Sequence, residues 1–294
     1  MPGVLLALAG TLTFSIKAII VKLAYRHGVD PYTLIMLRML FALPFFLAMA
    51  WWAGRGKPPL ARDEWLAVCG LGFIGYYLSS TLDFAGLQYI TASLERLIIY
   101  ITPTLVMLLG WLLHGHRPGA GQTAGMVVSY AGVALVFGLE ARLEGRHVPL
   151  GALLVFVSCI TYAIYLVASA RWVRRMGSLR LVGWATSVAC LCCIAQYLVL
   201  HPASSVLVVA PQVIGLSILN ATLATVVPVL LVMMAIERVG AALTAQVGMV
   251  GPLSTIFMGV AWLDEPFTAW TAVGTGLVVA GVFLFTRAAA RRPG

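Results

Sequence analysis

Long apolar segments alternate with short polar or Gly/Pro-rich breaks along the whole chain. A helix that crosses the hydrocarbon core of a membrane needs about 20 predominantly apolar residues. We find ten such segments, with approximate bounds 3–24, 32–52, 65–82, 92–113, 121–138, 149–170, 181–200, 212–236, 241–263 and 268–286. The pattern therefore predicts an all-α integral membrane protein with ten transmembrane helices and no separate soluble domain.

The composition supports a lipid environment. The 294 residues are 61% hydrophobic and only 10% charged, and the mean hydropathy is +0.99. Soluble domains carry about 25% charged residues, which cover their surfaces. The five cysteines all lie in predicted spans, and no histidine accompanies them at metal-ligand spacing. We expect the thiols to pack as small apolar groups, and we expect neither a metal nor a cofactor.

The second half of the chain repeats the first at a shift of 149 residues. The segment "ASLERLIIYITPTLVMLLGW" from Ala92 aligns with "AALTAQVGMVGPLSTIFMGV" from Ala241. We predict two five-span halves, residues 1–139 and 149–294. Because five is odd, the second half enters the membrane from the opposite side. Inverted repeats in transporters place the substrate near the midplane between the halves, which rock to expose it alternately; shared ancestry without movement is the alternative.

The loop charges predict the orientation. The chain carries a net charge of +9. With a cytoplasmic N-terminus, twelve loop cations lie inside and four lie outside, which fits the positive-inside rule. This sidedness explains the basic charge without a nucleic-acid partner and predicts that both termini are cytoplasmic. The inside cations are Arg55, Lys57, Arg62, Arg117, Arg171, Arg174, Arg175, Arg180, Arg238, Arg287, Arg291 and Arg292.

Ionisable residues from four spans fall in one predicted layer near the outer boundary: Lys17, Arg38, Asp83, Glu95 and Arg96. A charge near the membrane centre costs about 2.5 kcal/mol or more, so these groups should face one another or water. One of the three cations lacks a carboxylate partner and is available to a substrate carboxylate or phosphate. Sequence neighbours on a helix diverge by about 100°, so we expect Glu95 to bind a base of span 1 or 2 and Arg96 to face a cavity. For Lys17 and Asp83, snorkelling to headgroups is an open alternative.

Two prolines occupy equivalent positions in spans 4 and 9. Pro103 and Pro252 each remove a helical hydrogen bond, and we predict either a pair of flexing or binding elements or two static kinks. Around them we predict a site that mixes ionic and neutral contacts, which suits a small amphiphilic metabolite better than an inorganic ion. Its predicted substrate-binding residues are Lys17, Arg38, Tyr76, Glu95, Arg96, Tyr100, Tyr162, Tyr165, Asn220 and Gln246.

The chain resembles the drug/metabolite transporter superfamily, in particular its EamA branch, over almost its whole length. The resemblance rests on "LIMLRMLFALP" in span 2, "GLQYITASLERLIIYITPTLVMLLGWLL" in span 4 and "IERVGAALTAQVGMVGPLSTIFMGVAWLDEP" in span 9. It implies an inner-membrane carrier, often an exporter of amino acids or other small metabolites. It also implies a central cavity lined by spans 1–4 and 6–9. The family usually has an acid after spans 4 and 9; Glu265 fits, whereas the first copy has His116.

We therefore expect a secondary transporter and not an enzyme. The main alternative is a membrane-embedded enzyme that acts on a lipid-soluble substrate. The sequence lacks a GxSxG elbow, an HExxH motif, paired intramembrane aspartates and a Walker A loop. The expected partners are the bilayer and a small-molecule substrate. The sequence does not determine the oligomeric state, and a monomer is compatible with it.

Overall fold

The computed structural model describes residues 2–114, 119–143, 147–202, 205–206, 209–248 and 251–290. These ranges form long helices and no strand, and two short stretches inside the helices have π-helical hydrogen bonding. The elements in chain order are α1 (Pro2–Tyr25), α2 (Pro31–Gly54), α3 (Arg62–Leu71), π1 (Gly72–Leu78), α4 (Ser79–Leu87), α5 (Ala92–Ile99), α6 (Thr102–His114), α7 (Ala120–Leu143), α8 (Val148–Met176), α9 (Ser178–Leu200), α10 (Pro211–Ala221), π2 (Thr222–Val226), α11 (Val227–Gly248), α12 (Gly251–Leu263) and α13 (Ala269–Ala290).

The predicted fold class, a helical membrane protein, is confirmed. Within the described ranges, eight helical segments are long and apolar enough to cross a membrane, and two shorter apolar helices, Ser254–Leu263 and Ala269–Phe285, follow them. The total of ten spans stays a prediction. The eight segments are Gly3–Tyr25, Pro31–Gly54, Arg62–Leu87, Ala92–Leu113, Ala120–Gly138, Val148–Ser169, Ser178–Leu200 and Pro211–Val232.

The predicted boundary between the eighth and ninth spans is wrong. Helix α11 continues through residues 237–240, where we expected a turn, and ends at Gly248. The stretch "IERVGAALTA" has no proline, and Ala, Leu, Glu and Arg favour helix. The one glycine inside it, Gly240, costs about 1 kcal/mol in a helix interior, which is too little to end a helix that is otherwise well supported.

The two prolines lie near described helix starts. Pro252 is the second described residue of α12, after residues 249–250, which lie outside the described structure. Pro103 is the second residue of α6 and does not kink span 4 inside a helix. Proline is tolerated in a first helical turn because the backbone N–H that it lacks has no partner there. Span 4 is accordingly two helices, with Tyr100 and Ile101 in a turn between α5 and α6.

The principal helix contacts join the two predicted halves. Helix α2 packs on α9, and α7 packs on α13. Helix α1 packs on α11 and α12. Its equivalent at a shift of 149 residues, α8, packs on α4 and α6, which are the equivalents of α11 and α12. Buried side chains such as Met39, Phe46 and Cys190 belong to the largest apolar cluster. The hydrophobic core is therefore shared between the halves.

Glycines bring α7 and α13 into backbone contact. A Cβ added at Gly132 would lie 2.5 Å from the carbonyl oxygen of Gly274, and one at Gly125 would lie 2.6 Å from that of Gly281. The earlier glycine of α7 thus meets the later one of α13, so the two helices run antiparallel. Small residues allow such close approach in membranes, where dispersion between helices replaces the hydrophobic effect.

We expect Gly132→Ala to lower the free energy of unfolding by about 3 kcal/mol, because its methyl group would overlap a backbone oxygen that cannot rotate away. The matched control is Gly138→Ala in the same helix, where a Cβ meets no atom within 4 Å. The control should be neutral or slightly stabilising, since alanine favours helix over glycine. Thermal unfolding midpoints in detergent test the pair, and equal midpoints for both variants would contradict the close contact.

Candidate functional site

Two helix junctions, α5–α6 and α11–α12, meet in the interior, one from each half. Residues 100–101 form the turn of the first junction, and residues 249–250 of the second lie outside the described structure. Adding 149 to Ile99 and Thr102 gives Gly248 and Gly251, the described residues on either side of the second junction. The Tyr100 hydroxyl donates a hydrogen bond to the Gly248 carbonyl oxygen at 2.6 Å. A Cβ at Gly251 would lie 2.5 Å from that hydroxyl oxygen, so glycine leaves the room that the contact needs.

A cavity of about 270 Å³ lies at this meeting point, between α1 and the two helix junctions. This volume is close to the lower end for small-molecule sites. Gly251, the first described residue of α12, borders it. Residues that line the cavity include Thr11, Phe14, Ser15, Arg96, Tyr100 and Gly248.

Arg96 supplies the positive charge of this cavity. Its Nη2 donates to the Phe14 carbonyl oxygen at 3.3 Å, and its guanidinium carbon lies 5.4 Å from the centroid of the Phe14 ring. Its Nε is 3.9 Å from Glu95 Oε2, a charge contact that is too long for a hydrogen bond. Arg96 is therefore held mainly by neutral partners and can bind an anion.

The charge of Glu95 is balanced by Lys17 from α1. The Lys17 ammonium lies 2.5 Å from Asp83 Oδ2 and 3.1 Å from Glu95 Oε1, so one cation bridges two carboxylates. All three side chains are buried, and Glu95 is 0% exposed. The cluster of Lys17, Asp83 and Glu95 connects α1, α4 and α5. Headgroup snorkelling, the alternative for Lys17 and Asp83, does not describe side chains that pair inside the bundle.

Arg38 is the cation without a carboxylate. No carboxylate among the described residues lies within 4 Å of it, although it is only 7% exposed. Its Nε donates to Thr225 Oγ1 at 3.0 Å, and its guanidinium carbon lies 5.0 Å from the Phe84 ring centroid. Thr225 Oγ1 in turn donates to the Asn220 carbonyl oxygen at 2.8 Å. Asn220 is fully buried, and its side-chain amide has no hydrogen-bond partner in the described structure.

Three of the four predicted tyrosines, Tyr76, Tyr162 and Tyr165, form a separate cluster at π1. Tyr76 and Tyr165 have ring centroids 5.0 Å apart and hydroxyl oxygens 3.3 Å apart, and Tyr162 stacks on Tyr165 at 5.7 Å. The Tyr165 ring packs against Gly75, where a side chain would overlap it. Gln246 lies in α11, but its side chain is outside the described structure.

The π-helical segments are an equivalent pair that the sequence did not reveal. Adding 149 to the bounds of π1 gives 221–227, which contains π2. Such segments frequently mark functional sites. Here π1 carries Tyr76 and π2 carries Thr225, the partner of Arg38. No residue pattern distinguishes a π turn from an ordinary helical turn, so only the coordinates could identify this pair.

Three other contributors also escaped sequence reasoning. Thr11 and Ser15 on α1 line the cavity, and Ser15 Oγ donates to the Gly251 carbonyl oxygen at 3.2 Å. Their i, i+4 spacing marks a polar stripe on an apolar helix and was an available signal. Gly248 had no such signal, because its role depends on where α11 ends.

Comparisons with known proteins agree on one family. The sequence profile of the EamA-like transporter family matches residues 1–138 and 149–287. An uncharacterized transporter of Bacillus subtilis, YcbK, is 30% identical over 96% of this chain and 90% of its own length. An uncharacterized transporter of Archaeoglobus fulgidus is 25% identical over 91% of each chain. One solved crystal structure superposes with a TM-score of 0.66 over 99% of this chain and 98% of that chain at 21% identity, which establishes similarity of fold alone.

Proposed function

The chain belongs to the EamA-like transporter family, and from this premise we propose that it is a secondary transporter of a small amphiphilic metabolite. We assign the substrate, an amino-acid-like or similar organic solute, to the cavity between the two helix junctions. The observation that carries this proposal is buried Arg96 in a cavity that both halves line.

The chemistry of the cavity favours a solute with an anionic group and an apolar part. Arg96 offers positive charge and N–H donors to an anionic group. Phe14 and Ile99 supply apolar wall, and Thr11 and Ser15 supply hydroxyl groups. An inorganic ion would leave most of this wall unused.

Alternating access between inverted halves is the proposed mechanism. The antiparallel pairing of α7 with α13, the equivalent positions of the helix junctions and the equivalent π segments support two halves of one shape, within 1–139 and 149–294. The principal helix contacts join the halves, so a rocking movement would open one end of the interface and close the other. We propose export across the inner or plasma membrane, with both termini in the cytoplasm, where the loop cations lie.

Transport by proteoliposomes tests the function. Purified protein is reconstituted into vesicles, a panel of amino acids and related metabolites is loaded inside, and the release and chemical identity of each are followed. Release of an unaltered solute, faster than from protein-free vesicles, is the expected result. A chemically changed product would favour the enzyme alternative, and release of no member of a broad panel would contradict the proposed substrate class.

A further inference from the structure

One carboxylate of the second half caps a helix of the first half. Glu265 Oε1 accepts a hydrogen bond from the Ala92 backbone N–H at 2.7 Å. Its Oε2 accepts from the Ser93 hydroxyl at 2.6 Å and from the Ser93 backbone N–H at 3.2 Å. These groups begin α5, the helix that carries Glu95 and Arg96. A carboxylate is favoured at a helix N-terminus by its hydrogen bonds and by the helix dipole.

The second half makes further contacts with the first half at the same end of the bundle. Arg26, which follows α1, donates from Nη2 to the Leu263 carbonyl oxygen at 2.6 Å and lies 3.5 Å from Asp264 Oδ2. Other side chains join the two halves at the opposite end of the bundle. There, Arg175 Nη1 lies 2.5 Å from Asp63 Oδ2, and this hydrogen bond raises the pKa of Arg175. Arg180 donates to the Pro58 carbonyl oxygen at 2.6 Å.

The repeat shows that the cap is specific to one copy. Subtracting 149 from 265 gives position 116, which is His116 in the sequence. Adding 149 to 92 gives Ala241, which lies inside the continuous helix α11. In the reverse direction, the second half has a helix interior at the equivalent place, and the first half has a histidine at the position of the acid. The acid of the second copy therefore serves the free helix end of the first copy.

The surroundings of Glu265 favour a contact that can be released. A polar cavity of about 650 Å³ adjoins the cap and is lined by Thr91 and Glu265, among others. Water in this cavity can hydrate both the carboxylate and the freed N–H groups, so separation does not leave buried charges unsatisfied. Gly259 provides the space that the carboxylate occupies, since a Cβ there would lie 2.7 Å from Glu265 Oε2.

We propose that Glu265 is a releasable clamp between the halves, which caps α5 while this end of the pathway is closed and leaves α5 when this end opens. This inference rests on the proposed transport function. Glu265 is a positioning residue, because it acts on Arg96 through α5 and does not line the substrate cavity. Its release would let α5 move with the rest of the first half.

Hydrogen exchange measured by mass spectrometry on the full protein in lipid nanodiscs tests the clamp without a known substrate. Glu265→Gln weakens the cap, and Gly259→Ala displaces the carboxylate but keeps its charge. Each variant should speed exchange in residues 88–99 and 24–31 on the order of tenfold and slow it in residues 55–64 at the opposite end. Gly110→Ala, where a Cβ meets no atom within 4 Å, is the matched control for Gly259→Ala and should leave exchange unchanged.

The outcomes separate the clamp from other roles. Exchange equal to that of the unmodified protein in both variants would overturn the proposal. Acceleration confined to α5, with 24–31 unchanged, would also overturn it, because Glu265 would then be an ordinary helix cap. Acceleration at 88–99 and 24–31 without slowing at 55–64 would support the clamp and contradict alternating access, so the two proposals can fail separately.

Discussion

Replacement of Arg96 by alanine is expected to reduce transport about 100-fold or more while the protein remains folded. Arg96 is the charged side chain of the cavity between the helix junctions, and removing one partner of a buried charge pair costs about 3–5 kcal/mol. An anionic solute would lose that partner. The fold should tolerate the change, because Lys17 still balances Glu95. The rate of solute release from proteoliposomes and the thermal unfolding midpoint are the two measurements.

The controls for this prediction separate charge from geometry. Arg96→Lys keeps the charge but loses the planar guanidinium that rests beside Phe14, so we expect a partial loss of transport. Arg287→Ala removes an exposed arginine from α13 outside the cavity and should leave transport unchanged. If Arg96→Ala carries solute as fast as the unmodified protein, Arg96 is not part of the substrate site.

Replacement of Lys17 by methionine should produce the largest loss of stability. The ammonium of Lys17 is within 3.1 Å of both Asp83 and Glu95. Without it, two buried carboxylates face each other with no cation between them. Breaking a buried pair in this way costs about 3–5 kcal/mol, because the remaining charge is uncompensated. The thermal unfolding midpoint in detergent should fall markedly, and the yield of folded protein should fall with it.

Neutralising the two uncompensated carboxylates should restore the lost stability. The triple variant Lys17→Met, Asp83→Asn, Glu95→Gln has no buried charge in the cluster, and neutral replacement of a buried ion cluster is often tolerated. Lys57→Met, the same substitution at an exposed loop position, is the control and should leave the midpoint unchanged. If Lys17→Met also melts like the unmodified protein, the cluster does not stabilise the bundle.

The sequence predicted the types of residue at the candidate site better than it predicted their arrangement. Charged residues in apolar segments are costly in lipid, so Lys17, Arg38 and Arg96 stood out without coordinates. Which carboxylate pairs with which base was not available, because sequence spacing determines only the face of one helix. The structure pairs Lys17 with Asp83 and Glu95, and it leaves Arg38 with Thr225 from the other half.

The sequence by itself determined the helical membrane class, the family and the repeat, because hydropathy and a fixed register of prolines and glycines are properties of the chain alone. Only the tertiary structure decided where helices break. The same hydropathy is compatible with a straight helix, a π turn or an interruption, since these differ by single backbone hydrogen bonds that neighbouring helices satisfy. For this reason Pro103 was found but its position at a helix start was not, and α11 extends past the turn that we predicted. The cap at Glu265 likewise exists only because packing brings a loop of one half to a helix end of the other.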